Sequence, residues 1–143
     1  MRKILVALDG SEQSQRALQE VLDLFETGAL HVHLLNVCEP IHVNEVLFKD
    51  TLTEMRALED EHTAAGRKIV ETASAKLNEA GVSNDTHVEI GHADQAIVGF
   101  AEKYHAEMIV MGTRGMGAIR SLAVGSIANK VVHLAKMPVL LVK

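Results

Sequence analysis

Met111-Gly112-Thr113-Arg114-Gly115 is followed, after nine intervening residues, by Gly125-Ser126. The apolar run Met108-Ile109-Val110-Met111 leads into this segment and reads as a buried strand. A helical pattern follows it, from about Ser126 to Ala135. A strand, a glycine loop and a helix start in that order make a cradle for a phosphate chain. Glycines let the backbone approach an anion, and the first turn of a helix offers N–H groups with no partner inside the helix. The expectation is a nucleotide-binding domain.

Outward from this segment, strand and helix alternate. Ile4 to Leu8 is apolar and partly β-branched, and Asp9-Gly10-Ser11 ends it. Ala17, Leu18, Val21, Leu22 and Phe25 then recur at helical spacing, with Ser11 or Ser14 as the cap and Gly28 as the stop. His31 to Val37 reads as a second strand, stopped by Glu39-Pro40. Residues 41–51 read as a loop or a short helix, and residues 39–62 are candidates for a lid or a partner surface. Leu52 to Ala80 is either one long helix or two broken near Gly66, with Gly81 as its end. Asn84 to Ile90 is the third strand, Asp94 to Tyr104 a helix, and Pro138 to Val142 the fifth strand.

Parallel strands require crossover connections, and right-handed crossovers wind them into one sheet. The expected fold class is therefore α/β, a single doubly wound five-stranded parallel sheet of Rossmann-like order 3-2-1-4-5 with helices on both faces. In such sheets the ligand sits at the carboxyl ends of the strands, where the winding reverses. Asp9 and Gly112 flank that crevice if strands one and four are neighbours.

The chain has 143 residues, which fits one domain spanning 1–143 with a sizeable core. Aromatic residues make up 3% and the formal net charge is -5, so both stacking platforms and a basic face for nucleic acid are poorly supplied. Cys38 is the one cysteine and cannot close an internal disulfide, which suits a reducing compartment. The apolar run at the N-terminus is stopped by Asp9 and Gly10, too early for a signal peptide or a membrane span. The expectation is a cytoplasmic, soluble protein with no membrane or nucleic-acid partner.

These residues resemble the universal stress protein family, over essentially the whole chain. The resemblance is carried by Ile4-Leu5-Val6-Ala7-Leu8-Asp9-Gly10-Ser11, by Ile109 to Gly115, by Ser121 to Ser126 and by Met137-Pro138-Val139-Leu140-Leu141-Val142. The pattern Gly-x2-Gly-x9-Gly-Ser/Thr marks the ATP-binding branch of that family, and it stands here as Gly112, Gly115, Gly125 and Ser126. The resemblance implies a site for ATP, or for ADP or AMP, with Mg²⁺ or Mn²⁺ held through the phosphates. By position, Asp9 with Ala7 beside it and Val37 at the end of strand two serve the adenosine. Met111, Gly112, Thr113, Gly115, Gly125, Ser126 and Ile127 line the phosphates and ribose. The resemblance further implies a homodimer through Pro138 to Val142, and a stress-response regulator that signals through contacts with a protein partner. An unpaired apolar edge strand is otherwise a liability.

Several of these residues also have simpler readings. Asp9 is either a turn residue that ties down the first helix or, being an acceptor-only carboxylate, a partner for a ribose hydroxyl or the adenine amino group. Gly125-Ser126 reads as a helix cap, which is compatible with phosphate contact. Arg114, Arg120 and Lys130 are candidate counter-charges, of which no more than one is expected to serve, and Arg114 lies inside the motif. His31 and His33 point to one face of a strand but lack a third ligand at recognisable zinc spacing, so no metal site is expected there. Cys38 reads as a buried inert thiol, and Met111 and Met116 as packing residues that border the ligand. No Gly-x4-Gly-Lys-Ser/Thr loop is present and no general base is evident for the γ-phosphate. The expected function is thus a nucleotide-binding regulator rather than an enzyme, with a slow ATPase or another adenine-nucleotide enzyme on the same site as the alternative.

Overall fold

The computed structural model describes residues 1–40, 52–115 and 124–143. The expectations placed on residues 41–51, Met116, Arg120 and Ser121 lie outside the described residues.

Five strands form one parallel sheet. They are β1 (Arg2–Ala7), β2 (Leu30–Cys38), β3 (Ser83–Ile90), β4 (Met108–Gly112) and β5 (Val139–Val142), in the spatial order β3-β2-β1-β4-β5. Every neighbouring pair is parallel, with Ile4 opposite both Val32 and Met108. The crossovers are α1 (Glu12–Leu24), α2 (Leu52–Glu79), α3 (Ala93–Lys103) and α4 (Ser126–Leu134). The order and class expected from the sequence are those observed.

Side chains alternate across each strand, so the sheet feeds two cores. Ile4, Val6, Leu8, Val32, Leu34 and Val110 face α1 and α2, against Leu18, Val21, Val70 and Leu77. Leu5, Ala7, Leu35, Ile109 and Met111 face α3 and α4, against Ile97, Phe100, Ala101 and Val131. Each large aliphatic side chain fully buried this way contributes about 1.5–3 kcal/mol. Coverage on both faces explains why β1 and β4 read as unbroken apolar runs.

The helix ends differ in detail from the sequence reading. Ser11 is the N-cap of α1, and its hydroxyl accepts from the Ser14 N–H. Helix α1 stops at Leu24 with Phe25 as its C-cap, so Gly28 does not end it but sits in a short 3-10 turn over Thr27–Ala29. Gly81 does end α2. It adopts φ +73, and the Val82 N–H bonds back to the Leu77 carbonyl at 2.9 Å, the left-handed cap that glycine takes without strain.

Helix α2 runs unbroken through Gly66, where the sequence left open a break. Gly66 serves close packing instead. A Cβ there would strike the Asn36 side-chain oxygen and lie 3.0 Å from its Cγ and 3.3 Å from Cys38 Sγ. Asn36 cannot swing away freely, because its amide donates to the Leu8 carbonyl at 2.8 Å. Gly99 in α3 has open space around its Cα. Alanine favours a helix over glycine by about 1 kcal/mol. Gly99→Ala is therefore expected to raise the urea midpoint and Gly66→Ala to lower it; a midpoint raised equally by both contradicts this packing.

Candidate functional site

β1 lies between β2 and β4, so the chain leaves neighbouring strands in opposite directions and opens a crevice at their carboxyl ends. An open cleft of about 220 Å³ lies there. The residues expected at the site line it: Ala7, Asp9, Val37, Met111, Gly112, Arg114, Gly115, Gly125, Ser126 and Ile127. Thr113 is the exception. It is buried, off the wall of the cleft, and its backbone does structural work: its N–H donates to Val142 at 2.8 Å and its carbonyl accepts from Gly125 at 2.6 Å. Leu8, Ser14, Leu35, Ala93, Ile97 and Ala128 line the cleft as well and were not read from the sequence. The available signal was topological, since each stands at the end of β1 or β2 or in the first turns of α1, α3 or α4.

Asp9 joins two loops. Its Oδ1 accepts from the Ser11 N–H at 2.9 Å, which sets the turn into α1. Its other oxygen lies so near Gly115 that a Cβ there would collide with it. The turn role and the site role of Asp9 are therefore compatible. Gly112 is equally constrained, because a Cβ would come within 2.6 Å of Gln13 Cβ and 3.0 Å of the Gln13 carbonyl carbon.

The far wall is the start of α4. The N-cap is Gly125, with Ser126 the first helical residue, a shift by one from a serine cap. Among the described residues no side chain caps this end, and no acidic residue occupies its first turn. The first N–H groups of a helix have no intrahelical acceptor and carry the positive end of its dipole. Gly125 allows the helix to start against β4, where a Cβ would lie 3.3 Å from the Thr113 carbonyl oxygen. The wall provided by Leu35, Val37, Ile97 and Met111 is apolar and suits a flat ring, whereas the α4 end suits an anion.

Two other groups sit off the cleft. Burial pushes the Cys38 thiol up, and its hydrogen donates weakly toward Asn36 and the His62 carbonyl, both at 3.4 Å, in keeping with an inert thiol. His31 and His33 do acquire a third ligand-type partner, contrary to the sequence reading. The pairing of β2 with β3 sets Asp85 opposite His33, and ligand atoms of His31, His33 and Asp85 lie within 4.8 Å of one another. Sequence spacing could not show this, because the partner comes from the next strand.

Sheet order and cleft define the class: a doubly wound α/β domain with an open crevice at its switch point. The model of the universal stress protein family matches residues 1–143, and the chain belongs to that family. It is 31% identical over 148 residues to universal stress protein YxiE of Bacillus subtilis, covering 99% of this chain and 98% of that one. Its fold superposes on the protein MJ0577 with a TM-score of 0.87 at 26% identity, covering 99% and 95% of the two chains. It also superposes on the family protein At3g01520 of Arabidopsis thaliana, solved with AMP bound, with a TM-score of 0.71 at 20% identity over 100% and 92% of the chains.

Gly112→Ala tests the junction of β4 and α1 beneath the cleft. The added methyl meets backbone that cannot rotate away, and overpacking of this kind costs about 1–3 kcal/mol. The urea midpoint should fall correspondingly; an unchanged midpoint contradicts the contact.

Proposed function

We propose that this protein binds an adenine nucleotide in the cleft and acts as a regulator through its nucleotide-dependent contacts. The observation that carries the reading is the start of α4, which has no side-chain cap among the described residues and lines a cleft that also holds a carboxylate and an apolar wall. The phosphates lie on the main-chain N–H groups of the Gly115 loop and of Ser126 and Ile127. Arg114, also on the wall, supplies positive charge to a chain of net charge -5. The adenosine lies toward Ala7, Asp9 and Val37, with Asp9 accepting from a ribose hydroxyl. A related protein of the same fold holds AMP, which supports the ligand class.

ATP is the nucleotide favoured here, with Mg²⁺ or Mn²⁺. Among the described residues, Asp9 is the one carboxylate on the wall, and its two oxygens already meet the Ser11 N–H and Gly115. A divalent ion would accordingly be held by phosphate oxygens and water, as Mg²⁺ commonly is. The same arrangement favours a binder over a hydrolase, since Asp9, the one carboxylate lining the cleft among the described residues, already accepts from the Ser11 N–H, and no imidazole lines it among those residues. The family's stress role suits a cytoplasmic protein that signals to a protein partner. Among the described residues no helix is long and apolar enough to cross a membrane. The half-buried edge strand β5 and the exposed Ile127, Val132 and Leu134 of α4 suit a homodimer through Pro138–Val142.

The test is a thermal shift series with ATP, ADP, AMP and GTP. Saturation at a hundredfold excess over Kd stabilises a binding protein by about 2.7 kcal/mol. Gly125→Glu places a carboxylate at the phosphate position and should abolish the shift while leaving the helical signal intact. An equal shift in wild type and Gly125→Glu rejects the site. Steady phosphate release from wild type well above that variant rejects the binder reading in favour of an ATPase.

A further inference from the structure

The amino-terminal half of the β2–β3 pair carries an arrangement that nucleotide binding does not use. In a sheet covered on both faces the inward positions are apolar, yet here they are His31 and His33 on β2 and Ser83, Asp85 and His87 on β3. Asp85 Oδ1 accepts from His33 Nδ1 at 2.8 Å and from His87 Nε2 at 2.9 Å, and Oδ2 lies 3.4 Å from His31 Nε2. Phe100 and Tyr104 close the inner side, with ring centroids 6.0 and 5.3 Å from that of His33. Three imidazoles around one carboxylate make an expensive way to fill a core position, because buried polar groups cost free energy unless fully paired.

This pairing is incomplete. An ionised carboxylate only accepts, so His33 Nδ1 carries the proton and a neutral His33 leaves a lone pair on Nε2. That Nε2 is buried and has no hydrogen-bond partner among the described residues. Burial pushes the His33 imidazole below its ordinary pKa against the pull of Asp85. Burial alone would raise the Asp85 carboxyl, but the hydrogen bonds and charges of His33 and His87 together lower it.

We propose that His31, His33 and Asp85 form a binding site for a divalent transition-metal ion of the Zn²⁺ class, with His87 or water in the fourth position. Two nitrogens and one oxygen suit Zn²⁺, Co²⁺, Ni²⁺ or Cu²⁺ and not Mg²⁺ or Ca²⁺, which prefer all-oxygen shells. Ligand atoms around a tetrahedral Zn²⁺ stand about 3.3 Å apart, given bonds of about 2.0 Å. His33 and His31 now lie 2.8 and 3.4 Å from different oxygens of Asp85, and one ligand atom from each of the three residues falls within 4.8 Å of the others, so the side chains draw together around an ion. His31 is already oriented: its Nδ1 meets Ser83 Oγ at 2.7 Å, the outer hydrogen bond that holds a metal-ligating imidazole in place. With the ion at His33 Nδ1, the displaced proton goes to Nε2. Asp85 is 42% exposed, which gives an ion a way in. The site lies on the strand halves away from the nucleotide cleft, about 13 Å along β2 from His33 to Val37 at ~3.3 Å per residue.

The experiment is isothermal titration of the untagged, chelator-stripped full chain with ZnCl₂, repeated with CoCl₂ while following the visible absorption of low-symmetry Co²⁺. About one ion per chain is expected. Asp85→Asn and His31→Gln should each weaken binding by more than about 100-fold, beyond the loss typical of removing an outer hydrogen bond. Both should keep the nucleotide-induced thermal shift of wild type, which shows that they fold. His31 is only half-buried, so His31→Gln carries the test if Asp85→Asn does not fold. Absence of stoichiometric binding, or wild-type affinity in both variants, overturns the site.

Discussion

The parallel pairing of β1 with β4 is the constraint on which the site depends. Ile4, Leu5 and Val6 lie opposite Met108, Ile109 and Val110, although some hundred residues separate them in the chain. The pairing brings the Asp9 turn and the Gly112–Gly115 loop to one end of the sheet, where the backbones touch. Gly112 fits against Gln13 and Gly115 against Asp9 because neither has a side chain. A cleft walled by main chain at one end and by aliphatic side chains elsewhere follows from that contact.

Main-chain recognition suits the proposed binding of a polyanion by a chain that is itself net negative. Backbone N–H groups and a helix dipole bring partial positive charge without the mobility of lysine side chains, and each such interaction contributes about 0.3–1 kcal/mol. The bonds from Gly125 to the Thr113 carbonyl and from Thr113 to Val142 fix α4 and β5 to the end of β4. Thr113 thus orients the helix start without touching the cleft. β5, the edge strand, is tied through the same bonds to the loop beneath the cleft.

What was legible in the sequence follows the strength of the local signal. β1 and β4 are apolar on both faces, so their runs identify them without ambiguity, and the crossover helices then make the sheet parallel, while its order was expected from the Rossmann-like pattern. The glycine spacing places the loop after β4 and the start of α4 to within a residue, missing only that Gly125 rather than Ser126 is the cap. Gly66 misled because a helix-breaking residue and a close-packing residue look alike until the partner, Asn36, is known. Thr113 misled because alternation at a strand end decides whether a side chain points to the cleft or the core. The His31–His33–Asp85 cluster was invisible, since register between β2 and β3 is a tertiary fact that no spacing along one segment contains.

The central claim is that the amides of the α4 start and the glycine loop take the phosphates. Amide-resolved NMR titration measures this directly, with ATP and adenosine compared on the same labelled sample. The account predicts that ATP, and not adenosine, moves the N–H resonances of Gly115, Ser126 and Ile127, while both ligands move those near Asp9 and Val37. Resonances of Ser126 and Ile127 that stay fixed at saturating ATP would contradict it.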